Sequence, residues 1–119
     1  MEIQWETGSS TSFLRISGDV RLWGRAEEES RILGVFRALE GLVGPVLLNL
    51  SGITYLDSLG VGALVRVPVE CVKRGIEVKI ILPQGVLGQA LRALRVFEGW
   101  PRFPDEGSAL HAKSMSTAA

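Results

Sequence analysis

The sequence predicts a single α/β domain: a small mixed β-sheet of four to five strands packed with about four helices. Three observations carry this expectation. The uncharged run 46–50 has the composition of a strand covered on both faces, which belongs at the centre of a sheet. Behind it, Val61, Leu64, Val65, Pro68 and Val72 recur at helical spacing, and an alternating strand, 76–82, follows; strand, helix and strand in that order imply a parallel crossover. Two further helical stripes flank this unit, Ile32, Val35, Phe36, Leu39, Leu42 and Val43 before it, and Leu87, Ala90, Leu91, Leu94 and Phe97 after it. A chain of 119 residues suits one compact domain.

In chain order, residues 3–6 alternate as a short edge strand and 7–10 form a turn. Residues 12–17 alternate again, with Leu14 and Ile16 on one face and Phe13 and Arg15 on the other, until Gly18 and Asp19 end the strand. A helix starts at Glu27, where Glu27, Glu28 and Glu29 form a solvated first turn that favours the helix dipole, and Gly44-Pro45 stops it.

The stretch 45–62, PVLLNLSGITYLDSLGVG, comes next. It reads as the buried strand, a connector over 51–56, Asp57 as N-cap and Ser58 in the first turn of a helix. That places a hydroxyl where backbone N–H groups lack partners and the dipole is positive, a position that stabilises an anion. Gly60 and Gly62 lack side chains that would shield the turn from a partner. A second side of this helix, with Leu59, Gly62, Arg66 and Val69, is too apolar for a purely solvated face; it fits either a helix flanked by neighbours on both sides or a docking surface beside Ser58. Pro68 removes the hydrogen bond to Leu64 and is expected to kink the helix.

Lys73, Arg74 and Gly75 supply a basic last turn and a C-cap glycine. In the strand that follows, Ile76, Val78, Ile80 and Leu82 share one face, with Glu77 and Lys79 on the other. Residues 83–85 turn into the third helix, which keeps Arg92 and Arg95 outward and is capped by Gly99. Prolines leave room only for an edge strand near Arg102 and Phe103. Residues 105–112 form a terminal helical turn, so the domain spans 1–112, with 113–119 a small, polar tail expected to be disordered.

Thirteen basic residues balance thirteen acidic ones, which argues against direct nucleic-acid binding driven by net charge. Cys71 is the one cysteine and suits a reducing cytoplasm. The first ten residues lack both a basic and an apolar leader region, and no apolar run nears the ~18 residues of a membrane span, so neither export nor a span is expected.

The run Asp57-Ser58-Leu59-Gly60-Val61-Gly62, entered from a buried strand, resembles the signature of the STAS domain in anti-sigma-factor antagonists. Residues 12–18, 75–78 and 100–110 resemble other parts of that domain, so the likeness covers roughly 12–110. The resemblance implies that Ser58 is reversibly phosphorylated. It also implies an anti-sigma-factor antagonist in a partner-switching circuit: the unphosphorylated domain binds a serine-kinase anti-sigma factor, releasing a sigma factor, and a metal-dependent serine phosphatase reverses the phosphorylation. Asp57, Ser58, Leu59, Gly60, Gly62 and Arg66 are the expected partner-binding residues, and the protein is expected to be cytoplasmic, a monomer or weak dimer. ATP and metal belong to those partners, so this chain is read as a substrate and binding module, not an enzyme, with no cofactor, metal or catalytic residue of its own. The alternative is a non-catalytic STAS scaffold subunit of a stress-signalling or lipid-transport complex. Leu59, Pro68 and the stretch 20–24 depart from the family pattern.

Without the resemblance, Ser58 reads as an ordinary first-turn serine that helps Asp57 cap the helix. A nucleophilic elbow is disfavoured because Leu56 replaces the first glycine of that pattern and His111, the one histidine, lies near the tail. Gly60-Val61-Gly62 lacks the Gly-Lys-Ser/Thr of a phosphate loop, and one cysteine and one histidine in separate elements make no metal site.

Overall fold

The structure is a computed structural model that describes residues 1–42 and 44–112. In chain order the strands are β1 (Glu2–Thr7), β2 (Ser12–Val20), β3 (Val46–Asn49), β4 (Ile53–Leu56), β5 (Val78–Ile81) and β6 (Arg102–Phe103). The helices are α1 (Ala26–Ala38), α2 (Ser58–Lys73), α3 (Gly85–Ala93) and α4 (Glu106–His111). The sheet runs β1-β2-β3-β5-β6, and β4 pairs with the far end of β2. Among the described residues only the β1–β2 pairing is antiparallel.

β3 lies at the centre, as its apolar composition requires, and Val46, Leu47 and Leu48 are buried across its two faces. Val46 and Leu48 join Leu14, Ile16 and Ile80 in the larger core, with Ile32, Phe36, Leu64 and Leu91 from the helices. Leu47 points the other way, to Phe13, Ile81 and Ala109, where α4 covers the sheet. The two-faced alternation of residues 12–17 therefore serves two cores.

β2 does not end at Gly18-Asp19. Gly18 adopts φ +83°, open to glycine at little cost, and a register shift between Gly18 and Asp19 lets the strand continue to Val20. That extension pairs with 53–56, so the expected connector contains a strand and the sheet has one strand more than the pattern suggested. α1 stops at Ala38 and a 3-10 turn, Leu39–Gly41, follows, so the helix ends before Gly44-Pro45; Leu42 packs on the core from outside it.

α2 continues through the buried Pro68 as far as Lys73. Its inner face holds Val67 and Cys71, whereas Val72, expected in the stripe, is 60% exposed. Gly75, at φ +71°, donates its N–H to Val72 O at 3.0 Å, and Ile76 donates to Cys71 O at 2.8 Å, the paired bonds of a Schellman cap. α3 ends at Ala93, well before Gly99, and Leu94 is 73% exposed instead of buried. Positive φ at Arg95 and Phe97 turns the chain so that Phe97 still reaches the core. The expectations for Val43 and for the tail at 113–119 lie outside the described residues.

Candidate functional site

β4 delivers the chain to Asp57, whose extended backbone makes it the N-cap of α2. Its Oδ1 accepts the Gly60 N–H at 2.7 Å. Its Oδ2 accepts two more, from Leu22 at 2.8 Å and Trp23 at 2.9 Å. One carboxylate thus caps the helix and fastens the 21–25 loop across the end of β2. Partial burial pushes the Asp57 pKa up, but the N–H groups of Trp23, Gly60 and Leu22, with Arg21 nearby, outweigh it and hold the carboxyl below the usual range.

Ser58 is the first residue of α2 and is exposed. The next turn divides by role. Gly60 is buried, and a Cβ there would sit 2.5 Å from Val20 O and 3.2 Å from Asp57 Oδ1. Its missing side chain admits the end of β2, an inward purpose, where the sequence suggested an outward one. Gly62 faces open space, and Leu59 is 42% exposed.

A groove of about 340 Å³ runs between α1 and α2, lined by Leu33 and Phe36 from one and by Ser58, Leu59, Gly62 and Arg66 from the other. The Arg66 guanidinium lies 4.4 Å from the Phe36 ring centroid, which holds a cation over the apolar floor. The structure therefore gathers Ser58, Leu59, Gly62 and Arg66 along one groove, with Asp57 as its fastener and Gly60 turned inward.

Sequence reasoning missed two exposed aromatic residues beside the junction. Trp23 is 77% exposed on the loop that Asp57 holds, and Tyr55 is 46% exposed, with Arg21 stacked 4.1 Å from its ring centroid. No periodicity marks a loop aromatic, and the link from Trp23 to Asp57 spans 34 residues. His111 lies on α4, its Nδ1 2.7 Å from Gly107 O. Among the described residues no cluster of His, Cys, Asp or Glu could hold a metal ion, and no helix is long and apolar enough to cross a membrane.

A mixed sheet with helices on both faces and an exposed serine at a strand-to-helix junction defines a class of small α/β domains. Within it, this chain belongs to the STAS domain family, whose family model matches residues 3–109. Solved structures agree on the fold. The anti-sigma factor antagonist SpoIIAA, in its unphosphorylated form, superposes with a TM-score of 0.65 at 18% identity, over 92% of this chain and 94% of that one. An anti-sigma factor antagonist homologue from Thermotoga maritima gives a TM-score of 0.74 at 14% identity, over 91% of each chain. An anti-sigma-factor antagonist (STAS) domain protein from Planctomyces limnophilus gives 0.71 at 20% identity, over 91% of this chain and 94% of its own. No curated protein matches the chain.

Proposed function

We propose that this protein is a cytoplasmic anti-sigma-factor antagonist that binds a serine-kinase anti-sigma factor and is switched off by phosphorylation of Ser58. The observation that carries the reading is the exposed hydroxyl of Ser58 on the first turn of a firmly capped helix, opening onto an apolar groove. The chain is the substrate and binding module in this circuit; the kinase brings ATP, and a metal-dependent serine phosphatase removes the phosphate.

A phosphoryl group adds nearly two negative charges and three acceptor oxygens. At a helix N-terminus that charge is tolerated, so the fold stays and the surface changes. A partner seated over the groove then meets charge where it had met a hydroxyl, and the complex opens.

The test pairs intact-mass measurement with binding. Incubation with the serine-kinase anti-sigma factor and ATP is expected to add one phosphate, absent in Ser58→Ala. Ser58→Asp is expected to lose the kinase complex. If Ser58→Asp binds as tightly as the native chain, the reading fails.

A further inference from the structure

We propose that Trp23 is the apolar anchor of the partner-binding surface, held in place by Asp57, and that it enters an indole-sized apolar pocket on the kinase with a carboxylate beside it. This rests on the antagonist reading above.

A single exposed hydrophobic residue is ordinary. What sets Trp23 apart is its backbone. Its own N–H and that of Leu22 are both bound by Asp57, Leu22 is buried, and the Arg25 N–H closes the loop on Leu22 O at 3.1 Å. The loop is fixed on either side of an indole that stands 77% exposed. A large aromatic side chain with two rotatable bonds on a fixed backbone loses little freedom on binding, which is how interface anchors reach their strength.

Position supports the same role. Asp57 holds Trp23 and immediately precedes Ser58, so the anchor and the switch share one fastening. Leu59 and Tyr55, also exposed, flank the same helix start along the chain. Charge then sets the partner's chemistry. Arg21 is paired with Asp19, and Glu28 with Arg31, whereas the exposed Arg25 has no side-chain partner among the described residues. A phosphate on Ser58 expels the partner most strongly where the facing surface is apolar or anionic. Arg25 is the counter-charge such a surface would use. Glu29 lines the groove beside Ser58, so the carboxylate that meets Arg25 belongs on the loop side of the interface.

Calorimetric titration of the full chain with the ADP-bound serine-kinase anti-sigma factor of the same genome tests this. Trp23→Ala is expected to weaken binding about thirtyfold, with Trp23→Phe recovering most of the loss, while Val86→Ala, at an equally exposed apolar side chain on α3, changes nothing. Arg25→Glu is expected to weaken binding about tenfold at low salt and less as salt rises. Asp57→Asn should weaken the native chain but add little to Trp23→Ala, as a positioning residue would and a merely stabilising one would not. Urea midpoints show that each variant is folded.

If the native chain binds and Trp23→Ala binds equally well, the anchor is overturned and the antagonist reading stands. If the native chain does not bind the kinase at all, the antagonist reading falls and takes the anchor with it. A homodimer that Trp23→Ala abolishes would assign the indole to a second copy, and this too overturns the proposal.

Discussion

Two helices of this protein begin in the same way and end up with opposite roles. At the start of α2, Asp57 Oδ1 accepts the Gly60 N–H at 2.7 Å; at the start of α4, Asp105 Oδ1 accepts the Ser108 N–H, also at 2.7 Å. The residue that follows each cap differs. Ser58 is exposed, whereas Glu106 is gripped by Arg15 Nε at 2.7 Å, Arg15 Nη2 at 2.8 Å and Asn49 Nδ2 at 2.6 Å. The α4 start is thereby sealed onto the second face of the sheet, and the α2 start is left open. Capping is a local matter of an aspartate and a free N–H. Whether a capped end is closed or available depends on what the rest of the chain brings against its first residue.

Glycine substitutions separate the two ends most sharply. A Cβ on Gly60 would meet the Val20 carbonyl at 2.5 Å, backbone that cannot swing aside, while a Cβ on Gly107 would meet only Asp105 Oδ1 at 3.5 Å, ordinary contact. Gly60→Ala is therefore expected to destabilise by about 3 kcal/mol, the upper end for overpacking. Gly107→Ala is expected to be neutral or to stabilise by up to about 1 kcal/mol, since alanine is the better helix former. Urea denaturation of both variants checks the contrast, and equal losses would mean that the two ends are packed alike.

Truncating the first residue of each helix gives the next largest difference. Glu106→Ala leaves Arg15 with Glu6 alone and strands the Asn49 amide, so a loss of about 2 kcal/mol is expected. Ser58→Ala removes an exposed hydroxyl and is expected to change the unfolding free energy from urea titration by less than about 0.5 kcal/mol.

Acid separates the fastenings less strongly. Bonding to Arg15 lowers the Glu106 pKa despite burial, and at Asp57 burial is outweighed by three backbone N–H groups, so both carboxyls titrate lower in the folded chain than in the unfolded one. Groups shifted in this direction contribute stability that is fully present above the unfolded value, about 4, and is lost as the pH falls through the folded one. Asp57→Asn keeps one acceptor oxygen for bonds that now use two, and is expected to cost about 1 kcal/mol at pH 7. That difference from the native chain should shrink toward zero in urea titrations carried down until the folded carboxyl is protonated. A difference that persisted there would show that the charge of Asp57 is not what holds the 21–25 loop.

The open end was the more legible of the two. An apolar run, an aspartate and a helical stripe lie within one stretch of chain, so β3, the cap and Ser58 could all be placed from local pattern. The sealed end joins Arg15 to Glu106 across 91 residues, and no local pattern encodes that distance. The same limit hid β4, because Ile53–Leu56 is only four residues long and behind Ser51-Gly52, and its partner is the part of β2 beyond a glycine that reads as a stop. Val72 and Leu94 show a different limit. Both fit a helical stripe, yet Val72 lies in the last turn of α2 and Leu94 just past the end of α3, where the neighbours that would bury a stripe have run out.

The smallest effect on stability is expected to accompany the largest effect on binding. Ser58→Asp places a carboxylate at the first position of α2, where unpaired N–H groups and the dipole favour it by about 0.5 kcal/mol at low salt. Asp57 is adjacent and ionised, but its oxygens are already turned onto Gly60, Leu22 and Trp23, which limits the repulsion between the two. The variant should therefore melt at or slightly above the native temperature while failing to hold the kinase. Scanning calorimetry beside the kinase titration reads both quantities. A variant that loses binding together with stability would mean that charge at this end acts by loosening the fold, and the open end would then differ from the sealed one in strength alone.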